Sequence, residues 1–197
     1  LIHTCHIETL FPREGTSYLS SVMMMIRSAA RPITTVLTLL VLALAVRPGS
    51  PAHAACTDVA EPGVEWRRCY HDGRNLEGAD LSGGVLRDTS FQRANLKGAN
   101  LTGTNAFRTR FVSADLRGAD LSDAEMSEAD FTKADLSGAM LRNADLRRAR
   151  FFRAILRGAD LTGADLDMAD LLHADLSGAT WVNGKRVCAD ESVGQCN

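Results

Sequence analysis

Residues 114–136 read ADLRGADLSDAEMSEADFTKADL. Every fifth residue is large and apolar (Leu116, Leu121, Met126, Phe131, Leu136), and the residue two places before each is Ala. The residue between them is Asp, or once Glu. The same frame runs without a slip from Leu76 to Trp181, which makes 22 units. Ala fills its slot in 17 of the 22, the exceptions being Arg74, Gly84, Thr89, Thr104 and Thr109, and Asp or Asn fills the middle slot in 14. The unit is therefore A-(D/N)-L-x-x. A period of five fits neither a 3.6-residue helix nor a two-residue strand. A fixed short period instead implies stacked, identical supersecondary units.

A second period lies on top of the first. Taking every fourth centre from Phe91 gives Phe91, Phe111, Phe131, Phe151 and then Leu171, and no other centre is Phe. Two residues after every fourth centre from Leu76 come Gly78, Gly98, Gly118, Gly138, Gly158 and Gly178, each followed by Ala. A 20-residue superperiod built from five-residue units predicts an all-β coil of four sides, with the centre and the Ala turned inward. The Leu side runs Leu76 to Leu176. The next, the Trp side, runs Leu81 to Leu161 and ends at Trp181. The uneven side carries Leu86, Ala106, Met126, Leu146 and Leu166, and the Phe side carries Phe91 to Leu171. Glycines at the corners of the Leu side predict type II turns there, because a type II turn needs φ > 0 at its third residue. The uneven and Phe sides carry Asp88, Arg108, Glu128, Arg148, Arg93, Ser113, Lys133 and Arg153 at that place and are expected to turn differently. The array amounts to about 5.5 coils and, at about 4.8 Å per stacked strand, a rod on the order of 26 Å long.

This A-(D/N)-L-x-x array, which spans 106 of 197 residues, resembles the pentapeptide repeat proteins. The resemblance implies a right-handed quadrilateral β-helix. The cysteine-bearing segments at either end look like the caps of exported bacterial members. Some members of the family resemble B-form DNA in shape and charge and bind DNA gyrase, protecting it from quinolones. That role would want a cytosolic chain with a strongly acidic surface.

The flanks point elsewhere. Residues 1–22 are aperiodic and read as an over-extended start, with synthesis beginning at Met23, Met24 or Met25. Arg27 and Arg31 then precede an uncharged run from Ile33 to Val46, too short for a membrane span and of the right length for the core of a secretory signal. Ala52-His53-Ala54 supplies the small-x-small cleavage pattern, so residues 23–54 read as a cleaved signal that leaves no membrane span. Residues 55–197 then carry 18 basic and 22 acidic side chains, neither polycation nor strong polyanion, and no nucleic-acid partner is expected. Residues 55–75 read as an N-terminal cap. Run backward, the frame puts Trp66 and His71 on centres and Val64 and Cys69 in the Ala slot, with Trp66 the first inward residue over the end of the core. Residues 182–197 read as a C-terminal cap, opened by the Asn183-Gly184 turn signal, with Trp181 as its plug. Loss of Cys5 with the leader leaves Cys56, Cys69, Cys188 and Cys196, two pairs at opposite ends of a long array. An exported chain meets an oxidising compartment, so Cys56–Cys69 and Cys188–Cys196 are the expected disulfides.

The array offers no catalytic constellation. Asp115, Asp120, Asp130, Asp135, Asp160, Asp165, Asp170 and Asp175 all hold one slot and read as polar wall residues. His71 and His173 have no nucleophile at a recognisable spacing, no His or Cys lies at metal-ligand spacing beside either cysteine pair, and the glycines serve turns rather than a phosphate loop. No catalytic, cofactor or metal residue is expected, and the chain reads as a non-enzymatic structural or protein-binding module, periplasmic or secreted. Its outer walls carry the discriminating residues. Val112, Thr132, Phe152 and Leu172 share one slot on the Phe side and stack as a column, and Arg142, Arg147, Arg148, Arg150, Arg153 and Arg157 form a basic cluster close by in sequence. Val112, Phe152 and Leu172 with Arg147, Arg148, Arg150 and Arg153 make the candidate partner-binding patch. The identity of a partner and the oligomeric state are left open by the sequence.

Overall fold

The structure is a computed structural model that describes residues 56–197. Cys5, the expected leader at 23–54 and its cleavage pattern lie outside the described residues.

Within 56–197 the backbone winds as a four-sided coil. Parallel bridges join residues twenty apart, from Glu65↔Val85 through Asp160↔Thr180. Every bridge falls on the slot just before a centre. Regular stacking thus starts at Glu65, ahead of the first complete motif at Arg74, and Trp66 and His71 are full members of the coil. The centres and the Ala slots form one continuous core, with Leu81 to Leu156 fully buried at every centre.

The hydrogen-bond ledger explains the unit. On a typical unit the centre N–H donates to the next coil (Leu96 to Asp115 O, 2.7 Å), as does the residue two further on (Gly98 to Arg117 O, 2.9 Å). The next residue closes a turn onto its own centre (Ala99 to Leu96 O, 3.0 Å), and the one after that donates to the preceding coil (Asn100 to Ala79 O, 2.9 Å). Four of the five N–H groups are thereby used. The fifth, just after the centre, points out of the corner and has no backbone acceptor. In all 14 units with Asp or Asn before the centre, that side chain's Oδ1 accepts it, at 2.9–3.5 Å. The side chain reaches two residues on, the Asx-turn pattern that Asp and Asn favour. The Asp/Asn slot therefore completes the backbone hydrogen bonding as well as covering the wall.

The corners correct one expectation. All four sides use the same φ > 0 conformation at the second residue after the centre. Asp88, Arg108, Glu128 and Arg148 have φ of 57–59°, and Arg93, Ser113, Lys133 and Arg153 have 57–59°, against 63–66° at Gly98, Gly118 and Gly138. The reason is the stacking itself. That residue's N–H donates to the coil above, so a different corner would break the ladder. A left-handed non-Gly residue costs roughly 1–2 kcal/mol, offset here by one ladder bond and one turn bond per unit.

The five departures from Ala each have a physical account. Val64 is bulky for its slot, and a Cβ on Gly84 directly above would lie 2.8 Å from Leu81 O and 3.3 Å from Val64 Cγ1. Thr89, Thr104 and Thr109 are buried, and their hydroxyls donate to the carbonyls of Trp66, Leu101 and Leu86. Arg74 crosses the end of the core, with its guanidinium 5.4 Å from the Trp66 ring centre.

The Phe column is a true stack. Centroids of Phe91, Phe111, Phe131 and Phe151 are 5.5, 5.0 and 4.9 Å apart, with planes within 4–7° of parallel. These spacings follow the coil rise of about 4.8 Å. His71 extends the stack, 5.4 Å from Phe91, and Trp66 lies 4.0 Å from His71.

Candidate functional site

The candidate patch is divided by the coil. Val112, Phe152 and Leu172 do stack on the Phe side: the N–H of Arg93, Lys133 and Arg153 donates to the carbonyls of Val112, Phe152 and Leu172. Val112 and Phe152 are half-buried and Leu172 is exposed. The Phe152 ring sits between the Arg153 guanidinium (5.1 Å) and an edge-on His173 (5.7 Å). The arginines do not gather there. Twenty residues make one full circuit, so arginines close in sequence point in different directions. Arg142 lies on the Trp side, Arg147 and Arg148 on the uneven side, Arg150 and Arg153 on the Phe side, and Arg157 on the Leu side. The expected basic cluster is therefore a belt around the rod.

Most of that belt is neutralised locally. Arg142 pairs with Asp160 (2.7 Å), Arg148 with Glu128 (3.9 Å), Arg150 with Asp130 (3.1 Å) and Arg157 with Asp175 (2.5 Å), each across one coil step. Arg147 grips Asp145 with two nitrogens, at 2.8 and 2.7 Å, and Arg117 grips Asp115 in the same way. These forks hold both carboxyls below the usual carboxylate range. Asp160 is lowered too, first by the Thr162 hydroxyl and then by Arg142. Of the patch arginines, Arg153 alone forms no ion pair among the described residues.

Sequence reasoning missed a feature on the corner between the uneven and Phe sides. A shallow groove of about 580 Å³ runs there, lined by Arg68, Tyr70, Asp88, Arg108, Arg110 and Asp130 among others. Down one column the charges alternate, Arg68, Asp88, Arg108, Glu128, Arg148, with Arg108 3.4 Å from Asp88. The 20-residue period was the signal that could have found it.

At the amino end, Trp66 and His71 are buried, and neither Trp66 Nε1 nor His71 Nε2 has a hydrogen-bond partner among the described residues. Arg74 donates to His71 Nδ1 (2.8 Å), which places the ring proton on Nε2. Burial, helped by the Arg74 charge, pushes the His71 pKa down to about 4. A neutral ring stacked between Trp66 and Phe91 is core. Cys56 is bonded to Cys69 and Cys188 to Cys196, with Cys69 and Cys188 buried in the core. No group of three metal-ligating side chains occurs among the described residues, nor is any helix there long and apolar enough to cross a membrane.

A solenoid of stacked five-residue units, with Leu or Phe centres and Ala beside them, defines the class. The pentapeptide repeat family model matches residues 75–105, 109–148 and 144–180 in eight copies, just over half of the chain. The chain belongs to the pentapeptide repeat family, whose fold is a right-handed β-helix. No protein of curated function matches it in sequence. Among solved structures it is similar to HetL, a pentapeptide repeat protein involved in heterocyst differentiation regulation in the cyanobacterium Nostoc sp. strain PCC 7120. The two are 33% identical over 61% of this chain and 67% of that one, with a TM-score of 0.30. It is also similar to a pentapeptide repeat protein of the Arabidopsis thaliana thylakoid lumen, at 27% identity over 64% and 85% of the two chains, with a TM-score of 0.31. QnrB1, a plasmid-mediated fluoroquinolone resistance protein, is 20% identical over 64% and 77%, with a TM-score of 0.26. None of these likenesses carries a function across to this chain.

Proposed function

We propose that this chain is a non-enzymatic structural or interaction module, exported to a bacterial periplasm or exterior. In this reading residues 76–181 form a rod of about 5.5 coils that offers rigid, ladder-like walls to another macromolecule, while residues 55–75 and 182–197 secure its ends. The observation that carries the reading is the pair of disulfides, Cys56–Cys69 and Cys188–Cys196, one at each end of the coil. Such bonds persist in oxidising compartments and not in a reducing cytosol. The signal-like run at 33–46 and the cleavage pattern at 52–54 support the same location. Walls on which arginines and carboxylates pair off coil by coil speak against DNA mimicry, which needs a continuous acidic face.

Cell fractionation of the native host, with mass spectrometry of the mature amino terminus and a thiol count on the unfolded, non-reduced protein, tests the proposal. The expected result is a chain starting near Ala55, outside the cytosol, with no free thiol. An uncleaved cytosolic chain with Cys56, Cys69, Cys188 and Cys196 all reduced would overturn it. A supercoiling assay with purified gyrase is then expected to show no protection from quinolones.

A further inference from the structure

The carboxyl end of the coil is covered on two sides only. After Trp181 the chain reverses and runs antiparallel over the last units of the Trp and Leu sides, bridging Thr180↔Val187 and Asp175↔Val193. There it supplies what a next coil would have supplied. Trp181 N–H donates to Arg186 O (2.7 Å), Gly178 N–H to Cys188 O (3.0 Å) and Leu176 N–H to Ser192 O (2.8 Å). Cys188 N–H and Gly194 N–H return bonds to Ala179 O (2.8 Å) and Ala174 O (2.9 Å). The last unit of the uneven side receives no such cover, and the Phe side meets the tail only at its far corner, where Gly194 lies beside Leu171 O and His173 N. Among the described residues the N–H groups of Leu166, Met168, Leu171 and His173, and the carbonyls of Ala164 and Ala169, make no backbone hydrogen bond. Leu166, Ala169 and Leu171 are the centres and Ala slot there, and all three are partly exposed, whereas their equivalents one coil earlier are fully buried. Met168 and Leu172 stand 69% and 57% exposed beside them.

From this geometry we infer that the open half of the carboxyl end is a docking edge for an extended, basic and apolar segment of another protein, added antiparallel to the last coil. The tail itself demonstrates the mode. A non-repeat stretch (Arg186 to Gly194) seats on the adjoining half of the same edge, with small Cys188 and Ser192 turned into the core and Val187 and Val193 turned out. The open half offers the same donors and acceptors in the same frame, which is strand addition at an exposed edge. Charge selects the occupant. Asp165, Asp167 and Asp170 line the open half and are exposed, Asp165 lying 3.7 Å from Arg147. Two carboxyl ends meeting face to face would set these acids against their equivalents, so a second copy is the poorer fit and a segment bearing Lys or Arg the better one.

Amide hydrogen exchange on the full chain, followed by NMR at Leu166, Met168, Leu171 and His173, tests the docking edge. The probes are two peptides of about ten residues, one alternating Lys and Val, the other Glu and Val. The Lys-Val peptide is expected to slow all four amides about tenfold or more, and the Glu-Val peptide to leave them unchanged. Asp167→Lys combined with Met168→Gly is expected to weaken that peptide about tenfold. Met168 has φ 55°, which Gly adopts readily, and Asp167 caps no amide, so the fold is kept. Should the double variant misfold, the comparison of the two peptides on the unaltered chain still decides. No protection by either peptide, or equal protection by both, would overturn the inference. So would amides already protected without peptide, whether in a dimer, which would make a second copy the occupant, or in a monomer, which would make it another part of this chain.

Discussion

At the amino end of the coil Trp66 and His71 lie wholly inside, stacked on Phe91, with Arg74 drawn across them and Cys56 tied to buried Cys69. At the carboxyl end Trp181, Leu166 and Leu171 each keep part of their surface outside the core, and the tail covers two sides of four. Both ends carry one Trp and one disulfide, so composition alone makes them equivalent. Each Trp has a complete coil on one side only, carrying Leu86 beside Trp66 and Leu161 beside Trp181. The difference lies on the other face. Trp66 is fully buried with Arg74 over its ring, whereas Trp181 has only the returning tail and stays partly exposed. In a solenoid each layer is held by its neighbours. A residue at the same slot is therefore worth much more with its outer face covered than without.

Four measurements break or sharpen that contrast. Trp66→Ala is expected to cost about 3–5 kcal/mol in urea unfolding, and Trp181→Ala about 1–2 kcal/mol, in keeping with partial burial. Equal costs would mean the ends are closed alike. Cys56→Ser with Cys69→Ser opens a loop of sequence separation 13 and should cost about 3 kcal/mol. Its loss is expected to raise amide exchange around Trp66 while Leu116 to Leu136 stay protected. If the whole array exchanges together, layers do not unfold separately.

Acid should act on the amino end. The His71 pKa is lowered on folding from 6.5 to about 4, so the unfolded chain binds the extra proton between those values. Stability from this residue is complete above pH 6.5 and drains away as pH falls toward 4, by roughly 1–3 kcal/mol. Trp66 fluorescence in a Trp181→Phe background reads it, and the same slope in His71→Leu would assign the acid sensitivity elsewhere. Smallest is the corner cap. Asp120→Ala, which frees the Ser122 N–H in mid-rod, is expected to cost about 1 kcal/mol. At the open carboxyl end Asp170→Ala should cost less, because Leu172 already stands in water. Differential scanning calorimetry of the pair would show whether position along the rod, rather than the bond alone, sets the value.

What the sequence makes legible is whatever repeats. Leu, Phe and Ala at fixed slots report the interior directly, because one residue type there satisfies one geometric demand. The Asp/Asn slot was visible as a preference, but its cause was not: fourteen Asp or Asn against a single Glu, Glu125, is the mark of a side chain short enough to reach the second following N–H. The common corner was hidden because Arg, Glu and Lys ordinarily avoid φ > 0, and local propensity gave way to the ladder. The arginine belt misled because proximity in sequence becomes separation in direction when each unit turns a corner. The half-covered end had no periodic signal at all, since residues 182–197 carry no repeat and only the path of the tail decides how many sides it spans.

The interior accepts any unit in any position, and the surface does not. A duplication or loss of five residues within the array would leave every centre facing inward and each Asp or Asn cap on its own corner amide. Everything downstream would nonetheless swing by a quarter of a circuit, placing Arg148 and Arg150 over strangers and ending the ring stack at the join. A change of twenty residues would do neither. Length in this protein is thus free to drift only in whole circuits: one pentapeptide keeps the inward pattern but breaks the ring stack and rewrites every wall.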